Sequence, residues 1–182
     1  MTDELFYLEH LSLNLNSYEL KMFRVQHEET QLLKYLTKYA KKHEENSVNR
    51  IYLVRNKKTK QLVAWFGLKA ATLPYNDKQE SFLIPAIELT HIAVDERYHV
   101  KIGEFRIGEY IFHKFVLPIV KEVAQKVSCK DLYVFAIDNP KLINYYKERL
   151  GFKEINHIDD KQFFEYAAPD YDEGCKFLYY PL

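Results

Sequence analysis

The sequence contains little glycine, little cysteine and no net charge. Glycine occurs only five times in 182 residues, so few positions suit tight turns or phosphate-binding loops. Two cysteines exclude a disulfide framework, and no CxxC or HxxxH spacing indicates a metal site. Lysine and arginine number 26, as do aspartate and glutamate, which argues against the broad basic field of a non-specific nucleic-acid binder. We therefore expect no metal and no nucleic-acid partner.

Long apolar runs are also absent. No segment approaches the roughly 18–20 consecutive apolar residues that span a bilayer, and the first residues carry acids where a secretory signal would carry basic residues. We expect a soluble, cytoplasmic protein without a membrane partner. The length and a hydrophobic content of 47% predict one folded domain over residues 1–182.

Hydrophobic periodicity predicts a mixed α/β (α+β) architecture, in which a strand, a loop and a long helix lead into a parallel strand. Pro118 should kink the long helix, whose apolar residues run from Ile111 to Val127 in steps of four. The other predicted helices are Ser17–Arg24, Glu28–Lys42 and one that begins at the N-cap Asn139 and ends at Gly151; the predicted strands are Arg50–Arg55, Gln61–Leu68, Ile84–Val94, Lys130–Ile137, Glu154–Ile158 and Lys176–Tyr180.

Two segments carry a resemblance to a known family. One is Ile87-Glu-Leu-Thr-His-Ile-Ala-Val-Asp-Glu96, which precedes a glycine-bearing loop and the long helix. The other places Tyr146 seven residues after Asn139, ahead of Leu150-Gly-Phe152. Together they resemble the GCN5-related N-acetyltransferase (GNAT) superfamily. The resemblance implies a mostly antiparallel twisted sheet with a central parallel pair, acetyl-CoA as cofactor and an amine as acceptor.

The resemblance also implies where the cofactor binds. The family holds the CoA pyrophosphate with backbone N–H groups of a glycine-rich loop at a helix N-terminus. The best match here is Gly103 to Gly108, in which Arg106 replaces the middle glycine and Ile107 precedes the last one; a second register ends at Gly103. Lys101, Arg106 and Arg97 could offset the missing glycine with direct charge. The backbones of Ile92, Ala93 and Val94 would pair with the pantetheine arm, and one N–H there could hold the oxyanion.

Transfer to an amine needs a base for the ammonium proton and an acid for the leaving thiolate. On a strand, Glu88 shares a face with Thr90, Ile92 and Val94, whereas His91 points to the opposite face. The resemblance places Glu88 where some histone-modifying members of this superfamily carry their general-base glutamate, acting directly or through a water, and His91 is a reserve base. Tyr146 is the candidate acid. Asn139 could bond the pantetheine arm or act only as a helix cap.

These residues predict an acetyl-CoA-dependent N-acetyltransferase that transfers acetyl directly, in a ternary complex, to a primary amine of a small molecule, peptide or protein. The protein could also form a homodimer. The unusual glycine loop also permits a non-catalytic acyl-CoA-binding or protein-interaction module. A toxin-like enzyme acting on aminoacyl-tRNA is a third alternative, for which the balanced charge provides no RNA-binding signal.

Overall fold

The computed structural model describes residues 5–11, 17–26, 30–76, 81–99, 101–155 and 174–182. Among these residues, no helix is long and apolar enough to cross a membrane. The helices are α1 (Ser17–Met22), α2 (Thr30–Lys38), α3 (Ala40–Glu45), α4 (Ile107–Ile111), α5 (Leu117–Val127) and α6 (Pro140–Glu148). The strands are β1 (Phe6–His10), β2 (Arg50–Asn56), β3 (Leu62–Asn76), β4 (Ser81–Val94), β5 (Lys101–Ile102), β6 (Phe105–Arg106), β7 (Asp131–Ile137) and β8 (Cys175–Pro181).

Six strands form one sheet in the order β1-β2-β3-β4-β7-β8. The pairs β1–β2, β2–β3 and β7–β8 are antiparallel, and β4–β7 is parallel. The fold class predicted from the sequence is therefore confirmed. By internal contacts the chain divides into two compact units, Met1–Lys69 with Thr90–Val116 and Ala70–Leu89 with Leu117–Leu182.

The core of the first unit lies between its N-terminal helices and its strands. Alternate residues of β2, Ile51 and Leu53, point to the same face and pack with Trp65 of β3. Leu36 of α2 and Ala40 of α3 close this core from the helical side. The predicted helix Glu28–Lys42 is divided here at Tyr39, and its first residues lie outside the described residues.

The second unit has a smaller aromatic core. Tyr133 and Phe135 of β7 contact Phe177 of β8, with ring centroids 5.4 Å and 5.5 Å from it. Leu73 of β3 and Ala86 of β4 belong to the same cluster. The predicted strand at 154–158 is wrong in its described part, since only Lys153 forms a bridge, with Tyr179; residues 156–158 lie outside the described residues.

The long helix is continuous from α4 to α5 but contains a π-helical segment, Phe112–Val116. This segment directly precedes the turn that contains Pro118. Proline has no N–H to bond the carbonyl of Lys114, and its ring would crowd that carbonyl in a regular α-helix. The wider π turn relieves this crowding. The apolar residues predicted at four-residue spacing do not all lie on the buried face: Ile111 is buried, whereas Val123 and Val127 are exposed. A step of four residues turns 400°, so four steps move a side chain about 160° around the helix.

Candidate active site

Glu88 lies where the parallel ladder ends. Strand β4 pairs with β7 through Ala86, Ile87 and Glu88, and β7 then continues to Ile137 in register with β8. Glu88 is only 2% exposed, and its Oε2 accepts a hydrogen bond of 3.0 Å from the Tyr133 hydroxyl. The general-base candidate is therefore a buried carboxylate with a neighbouring tyrosine donor, a partner that the sequence pattern did not reveal.

Helix α6 positions the two other candidates of the second unit. Asn139 is its N-cap, and the Asn139 side-chain oxygen accepts a 3.0 Å hydrogen bond from the Lys141 N–H. Pro140 begins the helix, and Gly151 adopts a left-handed φ of 83° just beyond its end, as predicted. Tyr146 is buried and packs edge-on against Phe152, with centroids 5.4 Å apart. The cap occupies only the oxygen of Asn139, so its amide N–H groups are not required for capping.

The predicted phosphate loop is a small β-hairpin rather than an irregular segment. Lys101 pairs with Arg106 and Ile102 pairs with Phe105, so Gly103 and Glu104 form the turn. Gly103 has a φ of 62°, a left-handed conformation that favours glycine at this position.

Helix α4 starts directly after the hairpin and includes Ile107 and Gly108 in its first turn. The Arg106 N–H bonds the side chain of buried Glu109 at 3.3 Å. One N–H at this helix start is therefore satisfied by the protein's own carboxylate, whereas the N–H groups of Ile107 and Gly108 belong to the turn that has no intrahelical acceptors. The Arg106 side chain is exposed.

The end of β4 is held by an ion-pair network that the sequence did not indicate. Asp95 is fully buried, and its two oxygens accept hydrogen bonds from the Arg24 N–H and from the N–H, Nε and Nη2 of Arg97 at 2.7–3.0 Å. Burial alone would raise the pKa of Asp95, but Arg97 and the backbone N–H groups lower it below its usual value. Nη2 of Arg97 also donates a hydrogen bond to the Met22 carbonyl, so two of the three guanidinium nitrogens bond within the protein.

The three predicted pantetheine-pairing residues directly precede this network. Ile92 and Val94 are half-buried, and Ala93 belongs to the core of the first unit. The Val94 carbonyl accepts a hydrogen bond of 3.2 Å from Nε2 of His99. The side chain of His99 therefore contacts the backbone at the end of β4.

His91 departs from the predicted alternation. Its ring stacks on Tyr35 with a centroid distance of 3.8 Å, and its Nδ1 lies 3.0 Å from Oγ1 of Thr90. Neighbouring side chains on opposite faces of a regular strand could not make that contact, so strict alternation fails at this step. Asn49 also contacts Thr90, which assembles a polar group that the sequence did not predict.

The structure thus assigns the site candidates to two groups. Glu88, Asn139 and Tyr146 lie in the second unit. The first unit contains the backbone candidates Ile92, Ala93 and Val94, the reserve base His91, and the loop candidates Lys101, Gly103, Arg106, Ile107 and Gly108. The catalytic and binding roles of these residues remain predictions.

Comparisons with known proteins give matches only among solved structures. No family model and no curated protein matches the sequence. A tyrosine-to-phenylalanine mutant of the toxin AtaT, bound to acetyl-CoA and the C-terminus of the antitoxin AtaR, is 20% identical with a TM-score of 0.70, and the match covers 98% of this chain and 94% of that one. AtaT complexed with acetyl-methionyl-tRNAfMet is 19% identical with a TM-score of 0.69, covering 97% and 94%. A KacTA–DNA complex is 21% identical with a TM-score of 0.67, covering 97% and 92%.

The expectation of no nucleic-acid partner is wrong in light of these structures, because proteins of this fold are solved with tRNA and with DNA. The physical reason is that net charge is an average over the whole chain. Helices α2 and α3 expose Lys34, Lys38, Lys41 and Lys42; of the two acids in these helices, Glu44 is buried and only Glu45 is exposed, paired with Lys41. A balanced composition therefore coexists with locally basic surface.

The resemblance seen in β4 and α6 agrees with these matches, which extend over nearly the whole chain. At 19–21% identity the likeness shows the fold alone: this chain has the GCN5-related N-acetyltransferase fold.

Proposed function

We propose that this protein is an acetyl-CoA-dependent N-acetyltransferase whose acceptor is the α-amine of an aminoacyl-tRNA. The observation that carries the proposal is a shared fold over 97–98% of the chain with AtaT, which is solved both with acetyl-CoA and with acetyl-methionyl-tRNAfMet. An aminoacyl ester presents a primary amine, so this acceptor belongs to the chemical class that the sequence predicts.

The residues of the first unit suit a CoA-type cofactor. The Lys101–Arg106 pair offers cationic residue types directly before a helix start, and the N–H groups of Ile107 and Gly108 belong to that first turn. These groups are suited to a pyrophosphate. The backbone of Ile92, Ala93 and Val94 offers amide groups for the pantetheine arm. Acetyl-CoA would supply the thioester, whose C–S bond breaks as the new N–C bond forms.

The second unit supplies the proton transfers. Glu88 takes the proton from the acceptor ammonium, either directly or through a water, while Tyr133 holds its carboxylate from one side. The Tyr146 hydroxyl gives its proton to the departing sulfur. Tyr146 is buried within the aromatic packing of α6, which fixes its ring for that role.

Thiol release tests the proposal. Protein and acetyl-CoA are mixed with charged tRNA, uncharged tRNA, a free amino acid or a simple alkylamine, and we expect turnover on the charged tRNA. Tyr146→Phe and Glu88→Gln should each lower kcat by about 10²–10⁴-fold, the usual range for a general acid or base. Tyr145→Phe is the matched control, because Tyr145 is the half-buried neighbour on the same helix.

The outcomes separate the alternatives. Turnover on an alkylamine but not on charged tRNA refutes the acceptor and leaves the enzyme class. Tight acetyl-CoA binding by calorimetry without turnover on any amine supports the non-catalytic module. Unchanged turnover in both Tyr146→Phe and Glu88→Gln refutes the assigned roles.

A further inference from the structure

A polar cluster in the first unit is centred on Asn49, which lies just before β2 and is 5% exposed. Its Nδ2 donates to the Tyr35 hydroxyl at 3.0 Å and to Oγ1 of Thr90 at 2.7 Å. Each hydroxyl then meets an imidazole: Tyr35 lies 3.0 Å from Nδ1 of His43, and Thr90 lies 3.0 Å from Nδ1 of His91. Two symmetric branches thus run from one amide to two histidines.

The orientation of the Asn49 amide follows from its hydrogen-bond balance. With Nδ2 toward the hydroxyls, both amide protons are used, and Oδ1 is the side-chain polar atom of Asn49 that has no partner among the described residues. The flipped amide would let one oxygen accept twice but would leave two buried N–H protons unpaired. A buried unpaired donor is costly, and orphaned N–H groups are rarer than under-satisfied carbonyl oxygens. The orientation in the structure is therefore the better satisfied one.

This orientation leaves each hydroxyl with its own proton. A hydroxyl that accepts from Asn49 can therefore either donate that proton to the imidazole or accept a second hydrogen bond from it. In the first arrangement, Tyr35 donates to Nδ1 of His43 and Thr90 donates to Nδ1 of His91. Burial is the largest effect that raises the pKa of Tyr35, which keeps its hydroxyl protonated for this role. In that arrangement both imidazoles, when neutral, carry their proton on Nε2.

Packing holds the cluster in place. A Cβ on Gly67 would lie 2.5 Å from Oγ1 of Thr90 and 2.8 Å from Nδ2 of Asn49, so this strand position requires glycine. The rings of Tyr35, His91 and Trp65 pack against one another in a triangle, with centroid distances of 3.8 Å for Tyr35–His91, 5.8 Å for Tyr35–Trp65 and 5.4 Å for Trp65–His91. The sequence thus uses one of its five glycines inside a strand, where glycine is unfavourable, to make room for these contacts.

We propose that Asn49 is a positioning residue which, through Thr90, holds neutral His91 with its proton on Nε2, so that His91 is a hydrogen-bond donor and not a base. His91 directly precedes Ile92, the first backbone candidate for the cofactor. The consequence for catalysis rests on the proposed acetyl transfer: His91 orients groups in the site, and the base role belongs to Glu88. The tautomer itself does not depend on that function.

Two-bond ¹H–¹⁵N correlation spectra of the imidazoles test the tautomer without substrate, with His91→Gln to assign the signal. We expect His91 protonated on Nε2 in the wild-type protein. Thr90→Val keeps the shape but removes the hydroxyl, and should shift the population away from that tautomer; Thr90→Ser should restore it. Tyr35→Phe is the internal control: it removes the hydroxyl that contacts His43 but keeps the ring stacked on His91 and the Thr90 contact, so the His91 tautomer should be unchanged.

Kinetics then test the positioning role. Thr90→Val should lower kcat/KM for the amine acceptor about three- to tenfold, as loss of one hydrogen bond predicts, with acetyl-CoA affinity unchanged and Thr90→Ser within about twofold of wild type. A wild-type His91 protonated on Nδ1, or the same tautomer in Thr90→Val as in wild type, overturns the proposal. Absence of turnover with any amine refutes the proposed function but not the tautomer.

Discussion

Replacing Asp95 by asparagine should destabilise the turn between β4 and the β5–β6 hairpin. Oδ1 of Asp95 accepts from the N–H and Nε of Arg97, and Oδ2 accepts from the Arg24 N–H and Nη2 of Arg97. Asparagine keeps one acceptor oxygen and turns an NH₂ group toward the other pair of donors. Two hydrogen bonds are therefore lost, one of them to a charged group.

The magnitude follows from these contacts. A hydrogen bond to a charged group contributes about 1.5–3 kcal/mol and a neutral one about 0.5–1.5 kcal/mol. Removing one partner of a fully buried ion pair costs roughly 3–5 kcal/mol. Asp95 is fully buried, but the Arg97 side chain is 35% exposed and can be rehydrated. We therefore expect Asp95→Asn to lower the free energy of unfolding by about 2–4 kcal/mol at neutral pH.

Acid should diminish this difference. The pKa of Asp95 is lowered in the folded state, so its contribution to stability is complete above the unfolded-state pKa of about 3.9 and is lost as the pH falls through the folded pKa. The difference between wild type and Asp95→Asn should be constant above about pH 5 and should shrink below about pH 4.

Urea unfolding followed by the fluorescence of Trp65 measures the effect, since Trp65 is the chain's one tryptophan and is fully buried. Glu122→Gln is the control: Glu122 forms an exposed ion pair with Lys126, and its loss should not change stability measurably. A loss below about 0.5 kcal/mol in Asp95→Asn, or a difference that grows on acidification, would refute the reasoning.

Two further substitutions test the packing of the first unit. Gly67→Ala should lower the free energy of unfolding by about 1–3 kcal/mol, because the added Cβ would clash with Thr90 and Asn49. Thermal melts measure the change, and Gly174→Ala is the control: its added Cβ would meet no atom within 4 Å, so its stability should be unchanged. Arg55→Lys should cost about 1–3 kcal/mol, since buried Arg55 donates to Glu9, Glu19 and the Lys60 carbonyl at once and a single ammonium cannot replace that fork. Arg50→Lys should cost less, because the Arg50 side chain is exposed beside buried Glu44, and equal losses would contradict this account.

Local patterns predicted the elements whose geometry is determined locally. The hairpin of β2 and β3 is confirmed, with Asn56 closing its turn by accepting from the N–H groups of Lys58 and Thr59. The N-cap Asn139 and the left-handed Gly151 are confirmed for the same reason, because capping depends on residues within one turn.

Elements that depend on distant partners were missed. Strand β1 is five residues long and is held by pairing with β2, from which it is separated by more than 35 residues of chain. Strand β3 continues to Asn76 instead of ending at Leu68, through a proline and two alanines that local propensity disfavours. The Asp95–Arg24 and Asn49–Thr90 contacts join residues 71 and 41 positions apart, so neither can be found from spacing along one element.

The small number of glycines has a different meaning once each one is placed. From the sequence, an arginine in the middle of the glycine loop indicated a weakened phosphate site. In the structure that segment is a hairpin, and Gly103 serves its turn, so the missing middle glycine is a strand residue paired with Lys101. A strand position needs no glycine, because its φ is ordinary and its side chain projects from the pleat. Glycine therefore stands at Gly103, where the backbone requires it, and Arg106 occupies a strand position directly before α4.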